Sequence, residues 1–157
     1  MQSRTSWSRE RAEEIIAAHR RLDGAALPVL HALQEEFGYL DREAIPLVAQ
    51  ALNLSRAEVH GVASFYHDFR EAPPGRHVLK LCRAEACQSM GADALAQSAC
   101  RRLGIGWHET TADGDVTLEP VFCLGLCACA PAAMLDGEVV GALDEAKITE
   151  LLRMARR

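Results

Sequence analysis

Five of the six cysteines in this chain crowd into two short stretches, LCRAEACQSM (81–90) and FCLGLCACAP (122–131). The spacing is Cys82-x4-Cys87, then 35 residues, then Cys123-x3-Cys127, with Cys129 two positions further on. Four thiolates suffice for a metal site. Six cysteines leave open which four serve and what they hold.

The rest of the composition bears on where such thiols would work. The N-terminus, MQSRTSWSRERAEE, is polar and has no apolar signal core. Apolar runs are short and interrupted by charge, so no membrane-spanning helix is expected. The chain is 49% hydrophobic and 25% charged, as in a soluble globular protein, and is expected in the cytoplasm, where thiols stay reduced. There, six cysteines favour metal or redox chemistry over a disulfide framework. A formal net charge of −5 argues against a broad nucleic-acid surface.

Turn and cap signals divide the chain. Ser8 is placed to cap a helix through about Arg20, with Ile15 and Ile16 on its apolar side. Pro28 suits the first turn of a helix that stops at Gly38. Asp41 is expected to cap REAIPLVAQAL. Ser55 and Glu58 form a capping box for a helix running toward Phe65. Pro73-Pro74-Gly75 then breaks the pattern, giving a helical bundle over 1–72 and a second domain over 73–157. In the second domain HVLKLC (77–82) reads as a buried strand. SMGADALAQSACRRLG reads as a helix capped by Ser89 and stopped by Gly104. Ile105–Thr110 and VTLEPVF are further extended pieces, and Asp136-Gly137 marks a hairpin. A last helix is capped by Asp144, with basic residues near its end. The fold class is α/β: an N-terminal helical bundle followed by a small sheet with helices packed on it, a thioredoxin-like layer.

Cys82 ends the first strand and Cys87 is expected just before the helix, where free N–H groups and the helix dipole favour an anion. Gly125 lets the second loop curl without a Cβ in the way. Zinc ribbons use tighter C-x2-C knuckles as a rule, though wider spacings occur. The plant-type 2Fe–2S run would need a cysteine at the position of Met90. A Rieske centre needs two histidines, and none lies within three positions of these cysteines. A 2Fe–2S site with one cysteine pair per iron fits the spacing best. Zinc and disulfides remain as alternatives.

CRAEACQSMGADAL and CLGLCACAP, together with LPVLHALQEEFGYL and SRAEVHGVASFYHDF, resemble the thioredoxin-like 2Fe–2S subunit of respiratory complex I (the 24-kDa type) and its relatives. Those relatives occur in NAD-reducing hydrogenases and as the gamma subunit of soluble, molybdenum-containing, NAD-dependent formate dehydrogenase. The resemblance runs from about residue 25 to the C-terminus. It implies that Cys82, Cys87, Cys123 and Cys127 ligate one 2Fe–2S cluster. It also implies a partner subunit that carries FMN and a 4Fe–4S cluster and binds NAD(H), within a larger complex. CRAEACQSMG and LCACAPAAM look most like the formate dehydrogenase gamma branch.

The chain offers no flavin or nicotinamide motif and no acid–base pair. It is therefore expected to move single electrons as a subunit of an NAD-dependent oxidoreductase and not to be catalytic alone. The competing class is a zinc-stabilised structural module or a dithiol switch, although no C-x-x-C is present. Other features have plainer readings. Cys100 is expected to be a buried small hydrophobe. Cys129 is expected to pack beside the site. His60 and His67 are expected to be ordinary surface or packing residues. Phe65, Tyr66 and Phe69 are expected in core or interdomain contacts, and Arg101-Arg102 at a helix C-terminus.

Overall fold

Hydroxyl and carboxylate caps fix where the first helices begin. Ser8 accepts from the Arg11 N–H and opens α1 (Arg9–His19). Ser55 accepts from the Glu58 N–H while the Glu58 carboxylate accepts from the Ser55 N–H, opening α4 (Arg56–Phe65). Between them lie α2 (Ala26–Phe37), which ends at Gly38, and α3 (Ala44–Leu52). This is a computed structural model, and it describes residues 6–156; residues 1–5 and 157, assigned above to the ends of the two domains, lie outside the described residues.

Ala12, Ile15 and Ile16 of α1 meet Val29, Leu30, Leu33 and Phe37 of α2, together with Val48 and Val59 of the next two helices. Each large apolar side chain buried this way contributes about 1.5–3 kcal/mol. An Arg11–Glu36 ion pair at 3.1 Å links α1 to α2. The Gln34 amide accepts from the Arg70 N–H and donates to the Asp68 carbonyl, both at 2.7 Å, and so holds the chain beyond α4 against α2.

Two expectations fail in this part. Asp41 does not cap α3: one carboxylate oxygen accepts from the Glu43 N–H and the other from the Tyr39 hydroxyl, and the helix begins at Ala44. Its carboxylate is engaged in a local turn, which competes with capping. Phe65 and Tyr66 are not core residues, being 73% and 43% exposed; Phe69 is half-buried with its ring against His31. His67 lies past the end of α4, so it shares no helix face with His60.

The chain divides between Pro73 and Pro74 into two compact units. The second holds β1 (His77–Cys82), α5 (Glu85–Ser89), α6 (Ala92–Leu103), β2 (Glu109–Thr110), β3 (Val116–Val121), β4 (Ala133–Leu135), β5 (Glu138–Val140) and α7 (Glu145–Met154). The sheet order is β2-β3-β1-β4-β5. β1 and β3 run parallel, and the α5–α6 segment makes the crossover that parallel pairing requires. The other pairs are antiparallel. Leu79, Leu81, Val116, Leu118, Ala133 and Leu135 bury one sheet face beneath α6 and α7.

The expected single helix after β1 is two. Gly91 takes a left-handed φ of 89° and separates a short turn, α5, from α6. Ser89 caps neither, because its hydroxyl donates back to the Ala86 carbonyl. The strand expected over 105–110 shrinks to Glu109–Thr110, since His108 turns the chain with a φ of 62°. Among the described residues no helix is long and apolar enough to cross a membrane.

Candidate metal centre

The register of the parallel pair brings the two cysteine stretches together. Cys82 lies opposite Val121, the last residue of β3, so the chain leaving β3 through Phe122 and Cys123 emerges beside it. The Cys82 N–H donates to the Ala132 carbonyl at 3.0 Å, and the Arg83 N–H to the Val121 carbonyl at 2.8 Å. Cys82 is thereby fixed between the exit of β3 and the entrance of β4.

Cys87 sits inside the short helix α5, and not in the turn immediately before the long helix α6 as expected. The short turn returns its thiol to hydrogen-bond contact with that of Cys82. Both are almost fully buried, at 3% and 2% exposure. Small apolar neighbours surround them: Ala92 and Ala132, with Ala84, Val121, Leu124 and Leu126 at the margin.

The second pair lies on the exposed side. The loop curls through two left-handed residues, Cys123 at φ 104° and Gly125 at φ 78°. The Gly125 N–H points back at Cys123 Sγ, 3.3 Å away. Cys123 Sγ and Cys127 Sγ are 3.7 Å apart. Cys127–Cys129 forms one 3-10 turn, and the following Ala130–Pro131 peptide is cis.

The amide donors at these sulfurs come from loop backbone and, for Cys82, also from Ala84, the residue that caps the N-terminus of the short helix α5. Burial pushes the Cys82 thiol up. The Ala84 N–H, the Cys87 thiol and the N–H groups of Cys123 and Leu124 outweigh it and leave Cys82 below the ordinary cysteine value. Burial raises Cys87, the Cys82 thiol adds to the rise, and the Ala132 N–H opposes it. Cys127 is raised mainly by its contact with Cys123. Charge on Cys82 acts on both Cys87 and Cys127, so the buried pair and the exposed pair share one field.

This donor set fits a 2Fe–2S cluster. Two thiol pairs, amides aimed at three of the sulfurs and small alanines around the buried pair suit an anionic centre with one pair on each metal.

The remaining candidates take different places. Cys100 is half-buried and packs against the core beneath α6. Cys129 is exposed, with its carbonyl held by the Ala142 N–H. Arg101 and Arg102 do close α6, and Arg102 donates to Thr149 of α7. Sequence reasoning missed Ala84, Leu124 and Ala132, which act through backbone N–H groups that side-chain identity does not advertise. It also missed Gly141, which packs against Cys129.

Residues 12–156 match the protein family described as thioredoxin-like 2Fe-2S ferredoxin. The chain is 36% identical over 128 residues to an NADH-quinone oxidoreductase subunit of Pseudomonas aeruginosa, an alignment covering 82% of this chain and 77% of that one. It is 33% identical over 130 residues to the HndA subunit of the NADP-reducing hydrogenase of Solidesulfovibrio fructosivorans, covering 83% and 76%. It spans 50% of the length of the NADH-quinone oxidoreductase subunits that it matches in Mycobacterium bovis and Mycobacterium tuberculosis. Among solved structures it matches a chain of the NAD+-reducing NiFe-hydrogenase in the air-oxidized state with a TM-score of 0.70 at 30% identity, covering 83% of this chain and 22% of that chain.

Proposed function

The chain belongs to the thioredoxin-like 2Fe-2S ferredoxin family, and from that premise we propose that it is an electron-transfer subunit of an NAD-linked oxidoreductase, with one 2Fe–2S cluster on Cys82, Cys87, Cys123 and Cys127. The observation that carries this is the pairing itself: a buried Cys82–Cys87 contact beside an exposed Cys123–Cys127 pair at the C-terminal end of the parallel β1–β3 strands. When bound, such a cluster takes up and gives back one electron at a time.

The residues have separable duties. Ala84, Cys123, Leu124 and Ala132 offer N–H donors that offset negative charge on Cys82 and Cys87. The alanines and Val121 keep water from the buried pair. Cys123 and Cys127 are exposed beside Phe122, which is 71% exposed, making this end of the sheet the one open to a partner.

A one-electron carrier serves a two-electron donor through a flavin. The proposed partner is therefore a subunit with FMN and a 4Fe–4S cluster that binds NAD(H). Support comes from relatives named as subunits of NADH-quinone oxidoreductase and of NAD(P)-reducing hydrogenases. Within this class we favour the gamma subunit of NAD-dependent, molybdenum-containing formate dehydrogenase, on the CRAEACQSMG and LCACAPAAM segments.

The purified chain should contain about two irons and about two acid-labile sulfides, and give a spin-half EPR signal on reduction. One zinc per chain with no sulfide would overturn the reading in favour of a structural module. Co-purification from the native cell should bring FMN with the chain. Molybdenum in that complex supports the formate dehydrogenase assignment, and its absence removes it.

A further inference from the structure

The loop that carries Cys127 is held from behind by a segment with no cysteine in it. The stretch after β5 runs alongside the 127–131 turn. The Ala142 N–H donates to the Cys129 carbonyl at 2.5 Å, and the Leu143 N–H to the Pro131 carbonyl at 2.9 Å. The two backbones meet closely at Gly141. A Cβ there would stand 2.9 Å from Cys129 Cβ, 3.0 Å from the Cys129 carbonyl oxygen and 3.7 Å from Leu126 Cδ1. Two of those three atoms belong to the turn that presents Cys127, and one is backbone, which cannot rotate away.

The segment is itself fastened. Ala142 holds a left-handed φ of 49°, a conformation that costs a non-glycine residue energy and persists where neighbours enforce it. Lys147 provides that enforcement: its ammonium donates to the Gly141 and Ala142 carbonyls, each at 3.0 Å. Lys147 sits in the first turn of α7, whose Ile148, Leu151 and Leu152 are buried against the sheet. A rigid element therefore reaches the cysteine loop through one side chain and one close backbone contact.

We propose that Gly141 and Lys147 are positioning residues for the metal centre, setting the place of Cys127 relative to Cys123 from outside the cysteine motif. This rests on the four-cysteine assignment above. It adds that the loop does not hold its geometry alone. Gly141 is required for want of space and not for its φ, so alanine would displace the 127–129 turn. Loss of the Lys147 ammonium would free two carbonyls and let Ala142 relax.

The test uses the full chain with its cluster. Iron release to an excess chelator is followed by loss of visible absorbance in wild type, Gly141→Ala, Lys147→Met and Lys147→Arg, with Gly61→Ala as control. Reduced EPR spectra are recorded for each, and far-UV circular dichroism checks the fold. We expect release about tenfold faster in Gly141→Ala and Lys147→Met, the size typical when a group supporting a metal ligand is removed. Their EPR g-values should shift, and Lys147→Arg, which keeps donors for both carbonyls, should restore both readouts. Gly61 faces open space, so its alanine variant should release iron like wild type. Release and g-values unchanged in both Gly141→Ala and Lys147→Met overturn the positioning role, as does failure of Lys147→Arg to rescue. A wild-type chain without iron and sulfide would instead remove the cysteine assignment, a result separable from the others because it is read before any variant.

Discussion

Cys123 Sγ lies 3.7 Å from Cys127 Sγ, and of the three residues between them Leu124 and Leu126 pack at the margin of the buried Cys82–Cys87 cluster. The backbone curls the loop between them, with left-handed turns at Cys123 and Gly125 and an amide of Gly125 directed at the first sulfur. This geometry makes the ligand set testable one cysteine at a time.

Serine in place of Cys82, Cys87, Cys123 or Cys127 should lose or severely destabilise the cluster, because serine is a harder and poorer iron ligand. Cys129→Ala should keep it, since that residue meets the rest of the chain through its carbonyl and Cβ. Iron content and EPR of each variant decide the matter. A colourless Cys129→Ala beside a red Cys127→Ala would move the ligand assignment by one cysteine.

Two glycines should respond to alanine with opposite signs. Gly125 has a φ of 78° with nothing within 4 Å of an added Cβ, so Gly125→Ala meets strain alone, about 1–2 kcal/mol. Gly61 lies inside α4 with the same open space and no left-handed φ, so Gly61→Ala should stabilise the helical unit by about 0.5–1 kcal/mol. Denaturant titrations of the loaded chain, read by circular dichroism and by cluster absorbance, give both values. The same sign at both sites would contradict this account.

Acid should weaken the helical unit through Glu58. The Ser55 N–H, and then the Ser55 side chain, hold the Glu58 carboxyl below its ordinary value of 4.5. Unfolding therefore takes up a proton in this range. The stabilisation is fully present above 4.5 and fades as pH falls through the lower, folded value. Glu58→Gln should flatten stability against pH below that point. An unchanged acid limb in the variant would show that other carboxyls dominate.

Phenylalanines that look alike in the sequence should differ sharply. Phe37 is 2% exposed and its ring meets Trp7 edge-on at 4.9 Å, so Phe37→Ala should cost about 3–5 kcal/mol. Phe65 is 73% exposed, and Phe65→Ala should stay within about 0.5 kcal/mol. Thermal unfolding of the two variants is sufficient to separate them.

Local chemistry was readable along much of the chain. The caps at Ser8, Ser55 and Asp144 stand where their side chains and the following residues require, because a cap is settled within four residues. The hairpin at Asp136-Gly137 likewise follows from two adjacent positive φ angles, 51° and 94°. Asp41 and Ser89 misled for a related reason: each found a closer local partner than the helix it preceded. Phe65 and Tyr66 stand outside the core of the helical unit; apolar character alone does not say which residues at a helix end are covered.

By itself the sequence determined the thiol inventory, the C-x4-C and C-x3-C spacing, the family that these motifs resemble, and most helix starts. Tertiary structure alone decided that Cys82 lies opposite Val121, that amides of Leu124 and Ala132 reach sulfurs far away in the chain, and that Gly141 and Lys147 stand behind the Cys127 turn. The reason is range. Spacing and capping are settled by neighbours in the chain, whereas the Cys82, Leu124 and Ala132 contacts join segments tens of residues apart, and Gly141 meets Cys129 only through the close approach of two backbone segments. The contacts to Cys82 exist only once the parallel register of β1 and β3 is chosen, and burial of one face of the sheet beneath α6 and α7 makes that choice.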